Sequence, residues 1–245
     1  MENIKINKGS EVIEGNSRVI KARLSDAQYF YKNDLRKGIT NYLDELHNII
    51  FHSDLGSMQQ KVERLSLICK IFSSNFGANV STVLKSAKLA KADLCTEVVC
   101  EMPELQGTIG SIYAELEGLP VDVVTSIKEH YSPVGPSDNC PSIPESALLS
   151  FADKMDSLVG FLSIGLKPSG SKDPYALRRL ALGLLRILLE AHLDINLKTL
   201  IDVSLNLHSK EVDREASSSI YQFMMERLKA YYKDCLLYTS DAADE

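Results

Sequence analysis

No apolar run in this chain approaches the roughly 20 residues of a membrane helix. The opening residues, Met-Glu-Asn-Ile-Lys-Ile-Asn-Lys, lack the apolar stretch of a signal peptide. A cytoplasmic protein with no membrane partner is expected. Cysteine is sparse: Cys69, Cys95, Cys100, Cys140 and Cys235 are odd in number and scattered, and Cys95 and Cys100 miss the Cys-x-x-Cys spacing of a zinc or redox site. Idle or buried thiols in a reducing compartment fit that pattern. Positive charge is not in excess either. Lys and Arg number 27 against 33 Asp and Glu, a net charge of −6, which excludes a wholly basic nucleic-acid binder but not a local basic patch. There is no Gly-x-x-x-x-Gly-Lys-Ser loop, no Gly-x-Ser-x-Gly elbow and no His-Glu-x-x-His pair, and Gly107, Gly110 and Gly118 do not make a dinucleotide fingerprint. Nothing here activates an amino acid with ATP unaided. What remains is ordinary globular material: 245 residues, 44% hydrophobic and 24% charged, enough for one large or two small domains.

The fold class reads as mainly α. Residues 1–23 are the exception: Val12-Ile13 and Val19-Ile20 flank Glu14-Gly15-Asn16-Ser17 and suggest two short strands around a turn, the end of an upstream β-containing domain. Beyond Leu24 the periodicity is helical. Leu43, Leu46, Ile49 and Ile50 share a face, and Ser57-x-x-Gln60 is a capping box ahead of Val62, Leu65, Ile68 and Phe72. Ser81 suits the cap of a long helix through Leu84, Leu94 and Val98, and helices follow near Thr108–Glu117 and Pro120–His130. A proline-broken loop spans Tyr131–Pro144. Ser142-x-x-Glu145 then suits the cap of a helix carrying Leu148, Phe151, Ala152, Met155, Val159 and Leu162. Three more helices complete the pattern, one after Lys167, one at Leu197–Leu207 and one at Ile220–Tyr232. The last stretch, residues 235–245, ends Leu-Leu-Tyr-Thr-Ser-Asp-Ala-Ala-Asp-Glu, resembles translated sequencing adapter and is set aside as a non-native tail.

Four positions have the chemistry to hold a metal or move a proton: His52, Asp93, His130 and Asp153, the last three residues ahead of Asp156. On a long helix Asp93, Glu97 and Glu101 would line one face. A bundle that gathers histidines and carboxylates can bind a divalent ion and activate water. The order His, Asp, His, then Asp in Ala-Asp-Lys resembles the HD-domain metal phosphohydrolases. Their second motif has adjacent His-Asp, whereas this chain reads Leu89-Ala90-Lys91-Ala92-Asp93. Without that ligand, an HD-like helical bundle with a degenerate site and no bound metal is expected. The same residues also suit a solvated face with local ion pairs from Lys88 and Lys91, or buried hydrogen-bonded side chains.

The most informative stretch is Lys167–Arg186. Asp173 is a good N-cap and Pro174 suits the first helical position. Leu177, Leu180, Ala181, Leu184 and Leu188 then fall on one face, with Arg179 and Arg186 opposite. Lys167, Lys172, Arg178, Arg179 and Arg186 thus form a basic group in an acidic chain, either a solvated face or a surface for phosphates. Gly170-Ser171-Lys172-Asp173-Pro174-Tyr175-Ala176-Leu177-Arg178-Arg179 resembles the Gly-Ser-Lys-Asp-Pro-Phe-Ala-Leu-Arg-Arg signature of the β subunit of bacterial glycyl-tRNA synthetase. Further matches follow in the same order: Gly15-Asn16-Ser17-Arg18-Val19-Ile20-Lys21-Ala22-Arg23-Leu24-Ser25-Asp26-Ala27, Phe51-His52-Ser53-Asp54-Leu55-Gly56-Ser57-Met58 followed by Lys61-Val62-Glu63-Arg64, Lys91-Ala92-Asp93-Leu94 running to Glu104-Leu105-Gln106-Gly107, Glu129-His130-Tyr131, and Ala152-Asp153-Lys154-Met155-Asp156.

The resemblance implies a fragment of a heteromeric ligase. In that family the α subunit forms glycyl-adenylate, so ATP and Mg2+ belong to it, and this chain is expected to carry no cofactor and no catalytic residue. The β subunit binds tRNA(Gly) and supports the α subunit. On this reading residues 1–23 end an upstream domain, 24–165 form an HD-like domain, and 166–234 continue helically toward a C-terminal region. The isolated fragment should not aminoacylate tRNA. The basic group is its candidate tRNA contact, with α-subunit docking as the rival role for the same face. A free-standing HD-type metal-dependent phosphohydrolase is the alternative.

Overall fold

A computed structural model describes backbone over residues 8–208 and 213–241, and side chains over 12–208, 213 and 215–233. The fold is mainly helical. In chain order the helices are α1 (Lys8–Lys37), α2 (Met58–Phe76), α3 (Val80–Leu89), α4 (Glu97–Glu101), α5 (Thr108–Leu116), α6 (Val121–Glu129), α7 (Pro144–Ser163), α8 (Leu177–Glu190), α9 (Leu197–Leu207) and α10 (Ser217–Asp241). Short 3-10 turns at Ile39–Asn48, Ala92–Cys95, Pro103–Leu105 and Arg214–Ala216 connect some of them. Two strands, β1 (Ile50–His52) and β2 (Gly56–Ser57), pair antiparallel just ahead of α2.

Helix α7 is the centre. Its residues are buried nearly from end to end, and Leu148, Leu149, Phe151, Ala152, Leu158 and Val159 are fully enclosed. A helix buried on every face sits inside a bundle, and its buried Asp153, Lys154 and Asp156 then need partners there. Helices α2, α3, α6, α8 and α9 pack around it. Gly183 lets α8 come close, since a Cβ there would lie 2.9 Å from Lys154 Cε and 3.1 Å from the Pro133 carbonyl oxygen. The main core includes Leu65, Ile68, Leu184, Leu200, Ile220 and Met224, so the segment beyond residue 166 shares one interior with α2 and α7. A second core gathers Ile39, Tyr42, Val98, Tyr113, Val123 and Ile127. Buried Asp34 ties it to α1, accepting from Tyr42 Oη (2.6 Å), Tyr113 Oη (3.1 Å) and the N–H groups of Glu97 (3.0 Å) and Val98 (3.1 Å) that open α4.

The capping box is as the sequence predicts. Ser57 Oγ accepts from Gln60 N at 3.3 Å, Gln60 Oε1 accepts from Ser57 N at 2.8 Å, and Gly77 ends α2 in the left-handed conformation. Ser57→Ala should therefore lower stability by about 1 kcal/mol in urea denaturation. An unchanged midpoint would show the cap to be redundant.

Several local expectations are corrected. Val12, Ile13, Val19 and Ile20 lie in α1, not in two strands. Paired apolar residues seven apart suit a helix face as well as two strands, and Glu14-Gly15-Asn16-Ser17 does not break it. Ile50 leaves the helical face expected of it for β1, where it is 75% exposed. The long helix from Ser81 is broken: α3 is capped by Asn79 and ends at Leu89, a 3-10 turn carries Asp93, and Thr96 caps α4 by accepting from Val99 N. Asp93, Glu97 and Glu101 therefore do not line one helix. Ser142 does not cap α7. Its N–H and hydroxyl donate to Glu129, and Glu145 accepts from Asn79 N. Helix α8 starts at Leu177 rather than Pro174; Asp173 still acts as its cap from a turn away, accepting from Leu177 N (2.8 Å) and Arg178 N (3.0 Å). Of the tail set aside at 235–245, backbone through Asp241 is helical, while its side chains and residues 242–245 lie outside the described part.

Candidate functional site: a lysine-filled acidic centre beside a basic rim

Helices α2 and α7 face one another so that the i, i+3 pair Asp153 and Asp156 points at Lys61 and Arg64, also three apart. Arg64 donates to both oxygens of Asp156, at 2.5 and 3.1 Å, a bidentate pair. Lys61 Nζ reaches Asp156 Oδ2 at 3.1 Å, Asp153 Oδ1 at 3.0 Å and Ser157 Oγ at 2.7 Å. Lys91, from the turn after α3, donates to Asp153 Oδ2 at 2.9 Å and lies 3.8 Å from the centre of the Tyr131 ring. His208, at the end of α9, faces Asp156 Oδ1 at 3.4 Å. All six of these charged or ionisable side chains are buried.

Burial opposes every charge in this group, and pairing decides the outcome. Burial raises both carboxyls, but Lys61 and Lys91 hold Asp153 well below the usual carboxylate range. Lys61 and Arg64 likewise hold Asp156 down. Burial lowers Lys91 despite Asp153, and it pushes His208 down to about 4.

The structure brings three of the four HD-type positions around Lys91. Asp153 binds it directly, and Asp93 and His130 lie within its electrostatic range. Asp93 Oδ2 accepts from the N–H groups of Gly107 (2.6 Å) and Gly110 (3.2 Å), so its carboxylate sits on the first turn of α5. Gly110 is required there, since a Cβ would come within 2.9 Å of that oxygen. His130 is fully buried, bonded through Nδ1 to the Ile127 carbonyl (2.6 Å), and burial and then Lys91 push its pKa well below 6.5. His52 stands apart on β1, its ring edge-on to Phe161 and Tyr175. Among the described residues no three His, Cys, Asp or Glu side chains are grouped to hold a metal ion. The cation beside Asp153 is an ammonium, and the metal-phosphohydrolase alternative gains no support. Sequence reasoning missed Lys61, Arg64 and His208. Lys61-Val62-Glu63-Arg64 stood within a segment that resembles the family, but the i, i+3 spacing of its two cations ordinarily marks a solvated face.

On the outer side of α7 the basic residues divide. Lys167, Lys172 and Arg179 are exposed, and Arg178 is half-buried with Nη2 donating to the Gly170 carbonyl at 2.8 Å. Arg186 is buried: it pairs with Glu190 at 2.8 Å and donates to the carbonyls of Gly135 (3.3 Å) and Pro136 (3.0 Å), pinning the loop after α6. Lys154 does similar work, donating to the carbonyls of Tyr131 (2.9 Å) and Ser132 (3.0 Å) and to Ser150 Oγ (2.9 Å), with burial lowering it to about 8.

The site is thus a helical bundle whose buried aspartates are closed by Lys61, Arg64 and Lys91, beside a basic loop-helix edge. Comparison with known sequences gives its family. The family model described as glycyl-tRNA synthetase beta subunit matches residues 1–243, and the chain belongs to that family. It is 46% identical over 223 residues to the glycine–tRNA ligase beta subunit of Rickettsia bellii, covering 91% of this chain and 33% of that protein. The corresponding subunits of Rickettsia felis and Rickettsia prowazekii are 47% and 45% identical over the same length, covering 91% of this chain and about a third of each. The chain spans about a third of the length of the curated relatives it matches. No described helix is long and apolar enough to cross a membrane.

Proposed function

We propose that this chain acts as part of the β subunit of a cytoplasmic glycine–tRNA ligase, supporting tRNA(Gly) binding and association with the α subunit during ATP-dependent glycylation. The observation that carries the reading is the family match over residues 1–243. ATP, Mg2+ and adenylate chemistry belong to the α subunit on this reading, and the HD-like bundle serves as a scaffold. The proposed tRNA contact is the edge formed by Lys167, Lys172, Arg178 and Arg179. Arg186 is left out because its guanidinium is committed to Glu190 and two carbonyls.

The test is a tRNA(Gly) shift across a salt series with Lys172→Glu/Arg179→Glu. Each lost phosphate contact removes about 1 from the slope of log affinity against log salt, so the double variant should lose about 2 as well as affinity. An unchanged slope with intact α-subunit association would remove the tRNA contact from this edge. Unchanged tRNA binding with lost α-subunit association would assign the edge to subunit docking.

A further inference from the structure

Helix α1 changes surroundings along its length. At its C-terminal end Phe30 and Tyr31 pack against the second core and Asp34 is buried. Residues 12–26, in contrast, are all exposed. They make about four turns of helix standing clear of the bundle. Their apolar residues are nonetheless sorted. Ile13, Ile20, Leu24, Ala27 and Tyr31 follow one another at helical spacing, with Val12, Val19 and Phe30 beside them. The face that enters the core therefore continues outward as an uncovered stripe, whose Val12, Ile13, Val19, Ile20 and Leu24 are each 57–67% exposed. The opposite face is polar, with Glu14, Arg18, Lys21 and Ser25, the first two paired at 3.5 Å.

A helix of this length is marginal in water unless something packs on its apolar face. The stripe ends in a groove of about 460 Å³ between α1 and the end of α4, lined by Arg23, Asp26, Ala27, Phe30, Glu101 and Met102. Arg23 interrupts the stripe and has no ion pair or hydrogen bond among the described residues. Whatever covers the stripe must bring an acceptor to it.

Three observations choose the occupant. The chain covers 33% of the Rickettsia bellii subunit, and most of a subunit of that length is further polypeptide of the same molecule. The stripe is continuous with an interior face, as expected of a core completed by a further segment. Five exposed apolar side chains offer roughly a few hundred Å², short of the roughly 800 Å² per partner of a stable interface between separate molecules. A segment of the same polypeptide bears less of the cost of association, so a smaller face holds it. We propose that the stripe on α1 is the docking face for an amphipathic helix from another part of the same β subunit. That helix lies along α1, places an apolar side chain in the groove beside Phe30 and Met102, and sets a carboxylate against Arg23. The inference rests on membership of the family and not on the tRNA-contact reading.

Hydrogen exchange over residues 12–26 tests it, on this chain alone and on the complete β subunit that carries it, without α subunit or tRNA. Exchange should be slower by about a hundredfold or more in the complete subunit. Ile20→Glu/Leu24→Glu should remove that protection, and Lys21→Glu/Ser25→Glu, on the opposite face, should leave it. In the chain alone both double variants should keep the urea midpoint of the parent, because all four side chains are exposed there. Equally fast exchange in both samples, or protection that survives Ile20→Glu/Leu24→Glu, overturns the docking face. Protection that grows with concentration in the chain alone also overturns it and assigns the stripe to a second copy. Protection that needs added α subunit overturns it in favour of that partner. A tRNA(Gly) shift on the same samples separates the two readings. A subunit that binds tRNA with residues 12–26 unprotected loses the docking face and keeps the proposed function, and protection without tRNA binding does the reverse.

Discussion

Asp156→Ala should cost about 3–5 kcal/mol, or prevent folding outright, with an apparent Tm lowered by roughly 10 °C or more. Asp156 is fully buried, grips Arg64 with both oxygens and takes a third bond from Lys61. Its removal leaves a guanidinium without its partner and Lys61 sharing Asp153 with Lys91, all in the interior. The loss is dominated by those stranded cations rather than by the missing bonds. Domain stabilities of about 5–15 kcal/mol leave little margin for it. Asp156→Leu with Arg64→Met takes both charges away together and should recover part of the loss, because a packed apolar pair often replaces a buried ion pair without penalty. Thermal and urea denaturation of the parent, the single and the double variant decide it. A single variant within 1 kcal/mol of the parent would mean that the ion network contributes little to holding α2 against α7.

That network marks the limit of what the sequence discloses. Helix α7 was legible because Leu148, Phe151, Ala152, Met155, Val159 and Leu162 recur at helical spacing and all of them are buried. Helices α5, α6 and α9 stand within a residue or two of their expected ends, since glycine, proline and caps punctuate them. The centre was not legible for a physical reason. Lys61 and Arg64 are three apart on an amphipathic helix, where cations normally face water, and only α7 packed opposite makes them interior. Lys91 was legible as a substitution that spoils a metal site. Its ammonium bonding Asp153 at 2.9 Å depends on a chain break that periodicity hides, because Leu84, Leu94 and Val98 imitate one continuous helix. The break is enforced from a distance, by Gly107 and Gly110 offering N–H groups to Asp93 fourteen and seventeen residues away. Charge pattern likewise marked Arg186 as a companion of Arg179. Only Arg186 meets Glu190 and the carbonyls of Gly135 and Pro136, none of which periodicity places beside it.

The surplus of cations at the centre sets the second large effect, a loss of stability in mild acid. His208 faces Asp156 with Arg64 and Lys61 close by, and among the described residues no hydrogen-bond partner completes either ring nitrogen. His130 has Lys91, Lys154 and Asp153 around it, and its Nε2 has no partner among the described residues. Burial and neighbouring cations keep both rings neutral, against the pull of the aspartates. An unfolded histidine takes its proton near pH 6.5. His208 in the fold takes one only near pH 4, and His130 also well below 6.5. Across that interval the unfolded chain binds more protons, so stability is full above about pH 6.5 and falls as the pH drops toward 4. His208 alone accounts for on the order of 3 kcal/mol over the interval. Asp153 and Asp156, with depressed pKa values, add their losses from about pH 5 downward, where unfolded carboxylates begin to protonate. Urea denaturation at pH 7.5, 6.5, 6 and 5.5 should therefore show a decline that begins before the carboxylates titrate. His208→Gln and His130→Gln, which have no proton to gain, should flatten it, the double variant most. A profile level from pH 7.5 to 5.5 in the parent, or one as steep in the double variant, would show that these rings are not the groups acid must charge.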